Sequence, residues 1–85
     1  MTSEPRDWTA IRIYLLGVAR DAGASDAEAE DVVQEAVVAY LEQCATGRPV
    51  PRPAAWLRLV VRRRLMDMRR RQRTRERYEQ TLVRC

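Results

Sequence analysis

From Pro53 to the C-terminus no proline interrupts the chain, and the stretch RPAAWLRLVVRRRLMDMRRRQRTR, Arg52 to Arg75, joins an apolar anchor to ten arginines against the single acid Asp67. Pro53 has no N–H to lose, and its fixed φ suits the first turn of a helix. The stretch is therefore predicted to be helical from residue 54 to about 71 and, in the three-helix arrangement, to near 75, beyond which the helix either continues or frays. At about 100° per residue, Leu57, Val60, Val61, Leu65 and Met68 fall on one arc. Arg58, Arg62 and Arg69 are expected on nearly the opposite side, flanked by Arg63, Arg70 and Arg73. One face docks; the other meets solvent or a polyanion.

A solvated helix face is the plain reading of such a run. Against it stands the imbalance: ten arginines and one acid cannot neutralise each other through i,i+4 pairs, and like charges at that spacing repel. A phosphate backbone as counterion removes that repulsion, and the planar guanidinium fork suits phosphate oxygens and base edges. The chain contains no lysine or histidine, so charge density carries the signal and the choice of arginine does not. Net charge is +4, but it is divided along the chain. Residues 1–46 carry three arginines and nine acids, residues 47–85 thirteen arginines and three acids. The two halves are thus expected to face different partners.

With 85 residues, 46% hydrophobic and 33% charged, the chain is expected to form one small domain with a thin core. No apolar run approaches the roughly 18 residues of a membrane span, and the start MTSEPRD does not resemble a signal peptide. The expected location is cytoplasmic. Cys44 and Cys85 are too few and too unpatterned for a disulfide scaffold or a zinc site; Cys44 reads as a small core residue and Cys85 as a loose tail. No metal site, cofactor or catalytic constellation is expected. The acids sit on helix surfaces, without a histidine, a buried nucleophile or a glycine-rich phosphate loop, so the chain does not read as an enzyme.

Two further helices are predicted ahead of the basic one. The first begins between Pro5 and Thr9 and runs to about Ala22, with Trp8, Ile11, Leu15, Val18, Ala19 and Ala22 as its apolar stripe. Trp8 reads as a core anchor, with a ligand platform as the other reading. Gly17 interrupts this helix, and close helix packing is the simplest reason for it. Ser25 with Glu28 makes a capping box, with Asp26 as a competing cap. The second helix then runs to about Cys44, with Ala29, Val33, Ala36, Val37, Tyr40 and Cys44 inward. Asp31, Glu35 and Glu42 line its outer face with Val38 among them. This ridge is either solvated surface or a protein-binding face on which the acids set register around a buried valine.

Residues 45–53, ATGRPVPRP, hold three of the four prolines and are expected to form a stiff extended loop. Arg48 and Arg52 bracket Val50 and lead into Trp56. The loop is either a connector or a rigid edge that holds an unstacked base, since single-stranded recognition pairs an apolar or aromatic pocket with adjacent positive charge. The expected fold is all-α: a compact three-helix domain over residues 8–75, with helices near 8–22, 26–44 and 54–75 and the proline-rich loop between the last two. Residues 1–7 are expected as a tail, and 76–85 as a helix end or the start of a linker to a second domain.

The segments SDAEAEDVVQEAVVAYLEQ and PAAWLRLVVRRRLMDMRRRQR, in this order and joined by a proline-containing loop, resemble conserved region 2 of the extracytoplasmic-function class of bacterial RNA polymerase sigma factors. The resemblance implies that Ala29, Glu30, Asp31, Gln34 and Glu35 sit on the helix that binds the clamp coiled coil of the β′ subunit of core RNA polymerase. The ridge residues Val38 and Glu42 extend that face. It implies that the 45–55 loop captures a flipped base of the minus-ten promoter element, with Arg48, Val50 and Arg52 as its reading positions and Trp56 either core or beside the base. It further implies that Asp67, Arg69, Arg70 and Arg71 end the promoter-facing helix, where arginines approach phosphates; Arg58, Arg62, Arg63 and Arg73 complete the predicted DNA set.

Departures from the pattern are also visible. Ala36-Val37 replaces the aromatic usual after Gln-Glu, and Arg63 stands where asparagine is common, which puts sequence preference in doubt. Region 2 is accompanied in this class by a second helical domain that reads the minus-thirty-five element. The chain is therefore expected to be part of a longer factor, with a natural single-domain variant as the alternative. The resemblance also admits an inhibitory anti-sigma factor as partner. The expected function is minus-ten recognition and melting together with β′ clamp binding. A generic helical DNA-binding regulator is the alternative, and the long proline-rich turn, unlike that of helix-turn-helix, speaks against it.

Overall fold

The computed structural model describes residues 7–84. They form three helices, α1 (Trp8–Asp21), α2 (Asp26–Ala45) and α3 (Pro53–Arg84), and each packs against both of the others. The expected tail over residues 1–7 lies, apart from Asp7, outside the described residues, as does Cys85.

Local chemistry sets the boundaries. Asp7 caps α1 by accepting from the Ala10 N–H at 3.1 Å. Ser25 and Glu28 form the full capping box of α2: Glu28 N–H donates to Ser25 Oγ at 3.2 Å, and Ser25 N–H donates to Glu28 Oε1 at 2.9 Å. Asp26, the rival cap, instead pairs with Arg20 at 2.9 Å. Gly47, at φ +78°, takes the left-handed turn after α2 that a side chain would resist. The Arg52 carbonyl accepts from Trp56 N–H at 2.9 Å and so opens α3 around Pro53.

The core consists of Leu15 and Ala19 from α1, Ala29, Val32, Val33, Ala36 and Tyr40 from α2, Val50 from the loop, and Leu57, Val61 and Leu65 from α3. Tyr40 lies between the two tryptophans, edge-on to Trp8 at 5.5 Å and to Trp56 at 6.0 Å between ring centroids. Both tryptophans are half-buried, so they close the core at its edge. Val32 is buried and Val37 only half-buried, which turns the inner face of α2 slightly from its expected register. The close packing expected at Gly17 is absent: a Cβ there would have nothing within 4 Å.

The third helix is longer than its apolar pattern. It has 32 residues, about 48 Å at ~1.5 Å per residue, but its last buried residue is Leu65 and its last half-buried one Arg69. From Arg70 onward every described residue is exposed.

Candidate nucleic-acid interface

Burial of Leu57, Val61 and Leu65 fixes the azimuth of α3 and thereby the direction of every arginine on it. Arg58, Arg62, Arg63, Arg70, Arg71 and Arg73 are exposed, and none forms an ion pair among the described residues. All six belong to the predicted DNA set, but Arg71 lies toward α2, where it lines a groove with Glu28, Asp31 and Glu35. Arg63 shares a groove with Trp56, Val60 and Asp67 on the α2 side of the helix. Arg58 and Arg62 flank the opposite groove, where half-exposed Tyr14 of α1 lies beside Leu59. Tyr14 was not a sequence candidate; an aromatic out of phase with the α1 stripe was the available signal.

Two predicted DNA contacts have other employment. The Arg69 guanidinium donates to the Ala22 carbonyl at the end of α1 and lies against Gly23, where a Cβ would stand 2.6 Å from its Nη2. Arg69 follows Leu65 by four residues and so lies at the margin of the apolar arc rather than opposite it. It fastens α3 to the α1–α2 turn, and Gly23, at φ +95°, is the residue that makes room. Val50 is 3% exposed and packs in the core, so its side chain plugs the loop onto the bundle and faces no base. Arg48 and Arg52 on either side remain exposed. The loop thus has a buried centre between exposed neighbours.

The α2 ridge is continuous. Asp31, Gln34, Glu35, Val38 and Glu42 line one surface groove, into which Arg64 of α3 also reaches. Arg64 Nη1 stands 3.3 Å from Glu35 Oε2, and Arg12 Nη2 stands 2.5 Å from Glu30 Oε2. Glu30 and Glu35 are thus partly neutralised within the domain, whereas Asp31 and Glu42 have no ion pair among the described residues. Val38 is 47% exposed and Leu41, one turn on, 54%. Leu41 was missed, although its place three residues after Val38 and seven after Gln34 puts it on the edge of this face.

Glu28 ties the ends together. Its carboxyl is held below the ordinary glutamate value, first by the Ser25 N–H and then by the Gln72 side chain, which donates to its other oxygen at 3.1 Å. That contact couples the start of α2 to the point where α3 leaves the bundle.

The site thus sets an acidic, partly apolar α2 beside a basic α3, with a plugged proline-rich loop between them. A model of the Sigma-70 region 2 family matches residues 9–75. The chain belongs to this family. No curated protein and no solved structure matches it. As a sigma-70 region 2 domain, it is a module of promoter recognition and core RNA polymerase binding. Its matched segment reaches from α1 through α2 into α3 and ends at Arg75, nine residues before α3 does. No described helix is long and apolar enough to cross a membrane.

Proposed function

We propose that this domain works in the manner of the extracytoplasmic-function class: α2 docks on the β′ clamp coiled coil of core RNA polymerase while the loop and α3 hold and help to melt the minus-ten element. The observation that carries this reading is the separation of two unlike surfaces on adjacent helices. On α2, exposed Val38 and Leu41 offer area to bury, and Asp31, Gln34, Glu35 and Glu42 supply register. On α3, nine exposed arginines form no ion pair among the described residues. They suit phosphates, whose contacts position a complex without reading its sequence.

Reading falls to the loop. Arg48 and Arg52 are exposed on either side of buried Val50, and the Arg52 carbonyl accepts from the N–H of half-buried Trp56. An unstacked base there would find an aromatic edge and two cations. On this reading the domain binds and positions and performs no chemistry of its own.

A pull-down of the chain with core polymerase, with and without single-stranded minus-ten DNA, tests the assignment. Capture by polymerase that the single strand strengthens is expected. Binding of DNA without capture by polymerase would instead make the chain a plain DNA-binding protein.

A further inference from the structure

Residues 76–84 lie beyond the family match, yet they continue α3 without a break. They contribute nothing to the core. At about 100° per residue, Arg70, Arg73, Arg77 and Arg84 share one arc with Arg62 and Arg63, and Met66 lies between them. Glu76 and Glu79 fall outside it. All six arginines are exposed, and none has an ion pair among the described residues. Arg62 to Arg84 spans about 33 Å at ~1.5 Å per residue, close to one turn of B-DNA.

The composition of the arc selects its partner. An acidic protein surface would call for apolar residues to bury alongside the charges, and past Met66 the arc has none. A single strand would call for a row of aromatic faces; the only aromatic of the extension, Tyr78, lies off the arc with Leu82, in a groove that it shares with Arg71, Arg75 and, from the arc, Arg70 alone. A straight row of unpaired cations suits a stiff row of phosphates, which also relieves the repulsion between arginines three and four residues apart.

We propose that the extension of α3 is a further duplex-DNA contact, in which Arg77 and Arg84 prolong the row begun by Arg62, Arg63, Arg70 and Arg73 along the phosphate backbone flanking the melted segment. This rests on the promoter-binding reading and adds to it a sequence-independent hold outside the family's matched region. The hold acts on double-stranded DNA alone.

Fluorescence anisotropy of the full chain with a labelled duplex and a labelled minus-ten single strand, over a salt series, tests it. For R77Q/R84Q the slope of log affinity against log salt on the duplex is expected to fall by about 1.8, roughly 0.9 per lost contact. Single-strand and core polymerase binding should be unchanged, and so should helicity by circular dichroism, because glutamine and arginine have similar helix propensity. R62Q/R63Q is the reference. If it lowers the slope while R77Q/R84Q does not, the extension makes no duplex contact, although the promoter reading stands. If neither pair changes the slope, the DNA assignment of the whole helix fails and the extension falls with it. A loss of polymerase binding by R77Q/R84Q at constant duplex slope would give the arc to a protein partner and overturn the proposal.

Discussion

Arg69 and Arg70 are neighbours in sequence with opposite employment. The first is half-buried and holds the end of α1; the second is exposed and begins the row that runs along the extension. Replacing Arg69 by alanine leaves the Ala22 carbonyl without this donor and removes packing at the turn, for which a cost of about 1–3 kcal/mol is expected. Chemical denaturation measures it, and duplex affinity under native conditions should stay near wild type. Arg70→Ala should do the reverse. If both variants lose DNA affinity equally at unchanged stability, the division between the two arginines is wrong. In the core, Leu57 and Val61 are fully buried, and truncating either to alanine should cost roughly 1–4 kcal/mol through lost burial and a cavity. Val50 belongs with them: Val50→Ala should lower the melting temperature and leave base preference as it was.

At the scale of the elements, the capping box of α2 has a pH signature. The folded-state pKa of Glu28 is depressed, so its contribution to stability is present above the unfolded value and is lost as pH falls through the folded one. Glu28→Gln keeps the box's hydrogen-bonding pattern but removes the titration. Between about pH 6 and about pH 3 the wild type should therefore lose more thermal stability than the variant. Equal losses would mean that Glu28 does not titrate differently in the folded state. The sequence showed this box directly, because Ser25 and Glu28 act on their own helix end. The three helices and the apolar arc of α3 were legible for the same local reason. The capture of Arg69 by Ala22 and the burial of Val50 were not, since each depends on a neighbour from a distant part of the chain. The extension past Arg75 carries no apolar period from which a helix could be read.

At the scale of the whole molecule, the two surfaces meet at one ion pair. Glu35 belongs to the α2 ridge and Arg64 to α3, and they stand 3.3 Å apart, each about half exposed. An exposed pair of this kind is worth about 0.2–1 kcal/mol, so releasing Arg64 by Glu35→Gln should raise duplex affinity by at most about fivefold. Asp31 has no such pair among the described residues, so Asp31→Lys should weaken capture by core polymerase with little effect on the loop and α3. The loop and the helix should then separate by the kind of loss they cause. Arg62 and Arg70 face outward from the core, and their removal should weaken binding to every sequence alike, lowering the duplex salt slope by roughly 0.9 per contact. Arg48 and Arg52 flank a plugged, proline-stiffened turn, and a turn reads sequence only when a displaced base reaches it. Their substitution should therefore alter discrimination among minus-ten single strands differing at one base more than it alters total affinity. Anisotropy with such a strand series decides the matter: a uniform loss from the loop variants, with base preference intact, would reduce the loop to a spacer and leave α3 as the nucleic-acid element.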